Sequence, residues 1–556
     1  MTTVDISDIY IFDKTTGGGG IVKEQILLDG GRNMKKLLVT FLSVIMVMVF
    51  MPTMAFAAND NVAKIGYKEY ATLAAAVEEA EDGDTIELLN DTTANDIRLT
   101  KSLTFNLNGK TITGTSDATR VFLVQNKTVS ATFNGGVIEV TNVAGDGLGI
   151  ATQGGKLELN DMEIRVAAPD TTALYNYGIR ISAYNTAGNG EDYNRAEAVI
   201  NNPKVIETGK TQDNGYTVGI AVIGANDKDD SGAYIESASV KLNNVDVKAT
   251  AFALSGNGAA HSTNIEVRNS NLTSFEGVAI YHPQAGTMNV YGGTITGATG
   301  IEIRGGNVNV SGGTKITATA DSTSVDPNSN GTTSTGAAIA VSQHVTKLPI
   351  SVTIDGAELT GASALVANNP QNNGAEDIAK VEVIIEDGQF TGLVNTNEGG
   401  KIEAAGGTFD RLGDKVEVTA ADVAEITEND GSVKTVVGLA NINETIKDAP
   451  AGTKVRIVKA AEGSKITAPA EVTVENTTDV SMEVNEDTLD AGQTITVEKK
   501  PETENPPAGD DDDGNKNEEP EKDTVPKTSD VNNMFPWIMA MALAAGAAAM
   551  LKRKED

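Results

Sequence analysis

The chain has 556 residues, no cysteine, three histidines and a formal net charge of −34 at neutral pH. These figures exclude disulfides, thiolate metal sites and a cysteine nucleophile. They also argue against nucleic acid or an anionic membrane as partner, since both need clustered Lys and Arg. The length exceeds what one compact core usually serves, a limit that a chain growing by repetition escapes.

Residues 1–33 carry no folded pattern and read as a segment upstream of the true start at Met34. Met34-Lys35-Lys36, the apolar run Leu37 to Phe50 and the small-residue end Ala55-Phe56-Ala57 make residues 34–58 a secretory signal, with cleavage expected after Ala57 or Ala58. Between Tyr70 and Gly83, Leu73, Ala76, Val77 and Ala80 fall on one helical face and Gly83 supplies the stop, so a helix is expected to cap the strands after it.

From Thr85 onward the pattern changes to short alternating strands broken by Asn-Gly-like pairs: Asn108-Gly109, Asn134-Gly135, Asn160-Asp161, Asn243-Asn244, Asn269-Ser270, Asp355-Gly356, Asp387-Gly388 and Gly406-Gly407. Such pairs accept left-handed backbone and bond their own main chain, as a sharp corner requires. The repeat is clearest at Thr287-Met288-Asn289-Val290-Tyr291-Gly292-Gly293-Thr294, which returns as Asn307-Val308-Asn309-Val310-Ser311-Gly312-Gly313-Thr314. Corners lie about 20 to 26 residues apart, or about 40 where a loop is inserted, which is a solenoid period. Each period holds three short strands with apolar residues on one face, and stacking buries that face while strands pair in parallel. The expected fold of residues 59–412 is therefore all-β: a parallel β-helix of about a dozen coils. Insertions at Tyr184 to Arg195, Ala225 to Tyr234, Gln343 to Leu348 and Asn368 to Ile378 are expected to crowd one edge, and a further loop, Asp321 to Thr335, interrupts another corner.

Residues 413–498 form a small α+β module that repeats the opening of the helix at a constant offset. Leu73, Val77, Ala80, Gly83, Ile86, Leu88, Ile97 and Leu103 correspond to Ile442, Ile446, Ala449, Gly452, Val455, Ile457, Ile466 and Val472. Residues 499–524, rich in Pro, Asp and Glu, have the composition of a disordered acidic linker. In residues 525–556, Val525-Pro526-Lys527-Thr528-Ser529 precedes the apolar run Met534 to Leu551 and the basic Lys552-Arg553-Lys554, a span with its positive end expected to stay cytoplasmic.

That ending resembles the sortase cell-wall sorting signal of Gram-positive surface proteins, with Val525 in place of Leu and Ser529 in place of Gly. The resemblance implies cleavage at Thr528 by a sortase, transfer to peptidoglycan and a secreted, wall-anchored location, or membrane anchoring if the chain is not sorted. Residues Tyr67 to Phe409 resemble the right-handed β-helix of the pectin-lyase-like superfamily, which includes lyases, hydrolases and non-enzymatic surface proteins. The likeness lies in the coil pattern, so it implies a fold and leaves the chemistry open.

Carbohydrate cleavage on such a fold needs clustered carboxylates. Aligning third strands by inward pairs puts Arg180, Ala221, Ala253, Ala279, Glu302 and Ala340 in one outward column, most of it alanine. The one catalytic candidate group is Tyr281, His282, Glu302 and Arg304, and an ordinary solvated face accounts for it more simply. His261 and His344 sit in loops without an evident carboxylate or serine partner. Asp227, Asp229 and Asp230, followed by Ser231-Gly232, are weak calcium candidates without the later bidentate Glu, and read as a solvated acidic loop; no cofactor is expected. Binding has better support: Tyr175, Tyr177, Tyr184, Tyr193, Tyr216 and Tyr234 gather in the most heavily inserted coils, and tyrosine suits an extracellular glycan or a host surface protein. The residues thus favour a non-catalytic adhesin or binding scaffold that uses Tyr184, Tyr193 and Tyr234, with a polysaccharide lyase or glycoside hydrolase as the alternative.

Overall fold

The computed structural model describes residues 61–115, 119–170, 174–185, 193–208, 215–225, 228–256 and 261–499. The signal, linker and sorting segments, with Asp227, lie outside them. The described chain is all-β in class, dominated by one large and mostly parallel sheet.

Successive passes of the chain add to three rows of parallel strands. In the first row Leu103–Asn106 pairs with Ser130–Val140, and this strand with Gly155–Ala167, in strict register from Phe105 to Phe133 to Leu159. The second row comes after each corner: Ile112 pairs with Ile138 and Ile138 with Ile164. The third row runs through Arg120–Gln125, Leu148–Gln153, Tyr175–Ser182 and Tyr216–Ile223. Period-2 alternation turns one side of the first two rows inward, and their apolar side chains fuse with those of the third into one long core. Phe105 and Phe133 stack in it at 4.7 Å with Phe122 edge-on, and Phe390 stacks on Phe409 at 4.7 Å.

Between the first and second rows the corner residue is left-handed pass after pass: Asn108, Gly135, Asp161, Asn202, Asn244 and Asn269 all have positive φ. This bears out the corners expected from the Asn-Gly pairs. The preceding asparagines bond one another along the stack: Asn134 Nδ2 donates to Asn106 Oδ1 at 2.9 Å, Asn160 to Asn134 at 3.0 Å, Asn201 to Asn160 at 2.8 Å and Asn243 to Asn201 at 2.9 Å. Amide chains of this kind satisfy half-buried corners that apolar side chains would leave unbonded.

The expected capping helix spans Leu73–Glu79, with Thr72 Oγ1 accepting from the Ala75 amide at 3.1 Å. It comes after a hairpin of Ala63–Ile65 and Lys68–Tyr70. The end of the chain repeats this opening. A hairpin of Val423–Thr427 and Val433–Val437 leads into the helix Leu439–Ile446 and the strand Lys454–Lys459. Thr85 pairs with Thr104 and Ile86 with Phe105; at the same offset of 369, Lys454 pairs with Thr473 and Val455 with Val474. The Gly83 amide donates to the Ser102 carbonyl, and the Gly452 amide to that of Glu471. The module has its own core around Ile442, Ile446, Val455, Ile457 and Val474.

Candidate functional site

The outward column of the third row differs from the one expected. Leu254 pairs with Ile280 and Ile280 with Ile301, so the outward residues after Ala221 are Ser255, Tyr281 and Glu302, not Ala253 and Ala279. Ala253 and Ala279 are fully buried in the core beside Leu254 and Ile280. At this bend two consecutive residues face inward, which breaks the alternation on which the alignment relied. The first of the two must be small, because a Cβ at Gly219, the equivalent position one pass earlier, would lie 2.7 Å from the Ala253 carbonyl.

The corrected register gathers aromatic rings across neighbouring strands. Tyr175 lies 6.4 Å from Tyr177, 5.8 Å from Tyr216 and 6.4 Å from Phe252, and Phe252 lies 5.8 Å from Tyr281. These separations suit offset and tilted ring pairs. Tyr175, Tyr177, Phe252 and Tyr281, with Arg180, Val218, Ala221, Ser255 and Pro283, line a groove of about 600 Å³ walled by Asn330, Gly331, His344 and Val345; Tyr216 stands outside it. Arg180 stands exposed between Ala151 and Ala221 on the adjacent strands, and its Nε donates to Ser182 Oγ at 3.2 Å. Burial pushes the Tyr175 and Tyr177 hydroxyls up, and pushes Tyr281 up to about 12, so all three are neutral donors at physiological pH.

Glu302 and Arg304 do not form a solvated face, contrary to expectation. Both are fully buried, and together they hold the loop that walls the groove. The Glu302 carboxylate accepts from the Thr333 amide at 2.7 Å, the Thr333 hydroxyl at 2.6 Å and the Ser334 amide at 3.3 Å. Burial raises its pKa, against those hydrogen bonds and the Arg304 charge, which lower it. Arg304 donates from Nε to the Ser342 carbonyl at 3.1 Å and from Nη1 to the carbonyls of Ser329, at 3.0 Å, and Gly331. Tyr281 Oη donates to the Asn330 carbonyl at 3.3 Å, and His344 Nε2 lies 3.2 Å from the same oxygen. His344 thus has a partner that the sequence did not disclose. His282, grouped with these residues by sequence proximity, points the other way: it pairs in register with inward Ile303 and is buried in the interior.

No family model, curated protein or solved structure matches this chain. Tyr184 and Tyr193 lie on a two-stranded antiparallel ribbon, Tyr184 opposite Asn194 and Asn185 opposite Tyr193. Tyr234 is half-buried with the Lys228 ammonium 4.3 Å above its ring, and it does not line the groove. Asp229 closes a local turn, accepting from the Ser231 amide at 2.9 Å, the Ser231 hydroxyl at 2.6 Å and the Ala233 amide at 3.0 Å. The Ser231 hydroxyl and these amides hold its pKa below the usual carboxylate range. Among the described residues no group of three or more potential ligands is placed to hold a metal ion.

The cluster of Tyr175, Tyr177 and Tyr216 is visible in the sequence, and Tyr281 and His344 stand out there singly, whereas Phe252, Asn330, Gly331 and Val345 do not. Their one signal was the length of the Asp321 to Thr335 insertion, which suggested a loop but not where it would fold.

Proposed function

We propose that the protein is a secreted, cell-wall-anchored binding scaffold in which a right-handed parallel β-helix carries a lateral groove for an extracellular glycan. The observation that carries this reading is the groove itself, where Tyr175, Tyr177, Phe252 and Tyr281 form a continuous aromatic row against a polar wall. Flat rings with polar tips, set a few ångströms apart on a rigid sheet, match the apolar faces and hydroxyls of successive sugars. The strictly parallel three-row pairing supports the β-helix. The sorting-like segment Val525 to Ser529 and its basic end support anchoring through Thr528, with a sortase and peptidoglycan as partners.

The alternative, a polysaccharide lyase or glycoside hydrolase, needs carboxylates that reach the substrate. Glu302 already directs both oxygens to Thr333 and Ser334 beneath the loop, which favours binding over cleavage. The test is a glycan array probed with the mature ectodomain, beside a polysaccharide depolymerisation panel. Capture that falls on replacing Tyr177 and Phe252 with alanine, at unchanged melting temperature, is expected; depolymerisation by the ectodomain would overturn the binding reading. Mass spectrometry of muramidase-released protein is expected to end the chain at Thr528, and recovery of intact Lys552 to Asp556 from most of the surface protein would refute wall anchoring.

A further inference from the structure

Resting on the reading of this groove as a glycan site, we infer that its ligand carries one isolated negative charge, a neutral oligosaccharide ending in a single acidic sugar, and that Arg180 selects it. Three observations converge. The groove lining contains no carboxylate and, apart from His344, only one ionisable cation, Arg180. Burial lowers the His344 pKa and the Arg304 charge lowers it further, so the imidazole is neutral. In a chain of net charge −34 this is an unusual gap in the acidity.

Arg180 is also uncommitted. Several other arginines on the strands hold carboxylates, as Arg165 holds Glu163 at 2.8 Å and Arg98 holds Asp96 at 3.1 Å, while Arg411 reaches the Ala362 carbonyl. The one hydrogen bond of Arg180 is from Nε to the Ser182 hydroxyl, and among the described residues no carboxylate comes within ion-pair distance. Its remaining N–H groups, flanked by the short side chains of Ala151 and Ala221, are free to face a planar anion from the groove, the geometry in which a guanidinium binds a carboxylate in bidentate fashion. The aromatic row begins beside it, at Tyr177 three residues earlier and Tyr175 next to that. A ligand bound by its charge therefore lays its remaining sugars along the rings.

The number of charges is set by the balance of attraction and repulsion. One guanidinium neutralises one anion, and the groove lining offers no second fixed cation, so any further negative charge meets only the field of a chain of net charge −34. A polyanionic chain with a charge on every sugar gains one contact and suffers repulsion at all the others. A chain with a single terminal charge gains the same contact without that repulsion.

The experiment uses isothermal titration of the mature ectodomain with three probes: sialyllactose with one carboxylate, neutral lactose, and an oligogalacturonate with one carboxylate per sugar. Sialyllactose is expected to bind at least tenfold more tightly than either of the others. The Arg180→Gln variant is expected to lose roughly tenfold toward sialyllactose, the share of a charge-assisted hydrogen bond, and to leave lactose unchanged. Equal affinity for lactose and sialyllactose, or an unaffected Arg180→Gln variant, would overturn the charge assignment. Neutral glycan binding that survives Arg180→Gln but falls in Tyr177→Ala or Phe252→Ala would place the failure in the charge and leave the groove intact. Tighter binding of the oligogalacturonate than of sialyllactose would reject the single-charge argument. Absence of binding by all three, with the array also blank, would reject the groove reading itself.

Discussion

Replacing His282 with leucine should stabilise the protein and remove part of its sensitivity to acid. The imidazole is buried in the interior, neither ring nitrogen has a hydrogen-bond partner, and burial lowers its pKa from the ordinary 6.5 to about 4. Between those values the unfolded chain binds a proton that the folded one refuses. Stability is therefore lost as pH falls through this window, and the loss levels off below the folded value. A drop of about 2.5 pH units at 1.36 kcal/mol each corresponds to about 3 kcal/mol. Leucine fills a similar volume, has no proton to bind, and removes two unpartnered polar atoms worth about 1–3 kcal/mol each at neutral pH before any misfit is counted. Urea unfolding of both ectodomains, monitored by circular dichroism between about pH 7 and pH 4, measures the difference. Carboxylates titrate alike in both proteins and cancel, so the advantage of His282→Leu should grow by about 3 kcal/mol toward the acid end. A difference that stays constant across this range would refute the reasoning.

Arg304→Ala leaves the Ser342 and Gly331 carbonyls without their side-chain donor, the Ser329 carbonyl with Gln371 Nε2 alone, and the Glu302 carboxylate without a neighbouring charge, at a local loss of about 3–5 kcal/mol. Hydrogen exchange should therefore rise across residues 326–335, and capture by the groove should weaken; protection unchanged from wild type would contradict the clasp. Asn160→Ala removes the half-buried hydrogen bonds to Asn134 and from Asn201, with an exposed one to Glu158 that adds little, so a loss of about 2 kcal/mol is expected in urea unfolding. Gly293 and Gly313 are the second glycines of the Gly-Gly turns in successive passes, with φ of +79° and +70°. A Cβ on Gly293 would lie 2.1 Å from the Ser270 carbonyl, whereas one on Gly313 meets nothing within 4 Å. Gly313→Ala should thus cost about 1–2 kcal/mol from left-handed strain alone. Gly293→Ala should lower the melting temperature far more, and equal shifts would show that the backbone contact does not matter.

What could be read in the sequence was whatever repeats. Corners are fixed locally by Asn and Gly, and parallel strands keep one register for many passes, so period and turn chemistry sufficed for the all-β class and the corner positions. The corner at Asn201-Asn202 is not among the eight expected, yet it has the same geometry, with φ of +58° at Asn202, and its amide joins the chain of asparagines. The candidate site was less legible because it depends on what does not repeat. Ala253 and Ala279 look like outward positions under strict alternation, and only the bend, where two neighbours turn inward together, shifts Ser255 and Tyr281 to the outward face of the sheet. Nor does a charged pair on a strand announce whether it meets water or a loop. Glu302 and Arg304 are buried by residues some 30 positions away, and loop placement of that kind is a tertiary fact.

The second copy of the opening hairpin has two apolar faces where the first has one. Val423 and Val437 belong to the long core, while Ala424, Ile426 and Val436 belong to the core of the module. At the start of the chain Ala71, which stands in the hairpin where Val437 does, is small and exposed. The later hairpin is also stitched antiparallel onto the preceding pass, Gly407 opposite Val437. One cassette therefore serves as a lid when its outer side is small and open to water, and as a coupling when that side is bulky and apolar. A recombination event that places such a cassette after a completed pass, as after Gly407, lengthens the protein without leaving a hydrophobic end uncovered, so growth and truncation in whole units are open to selection.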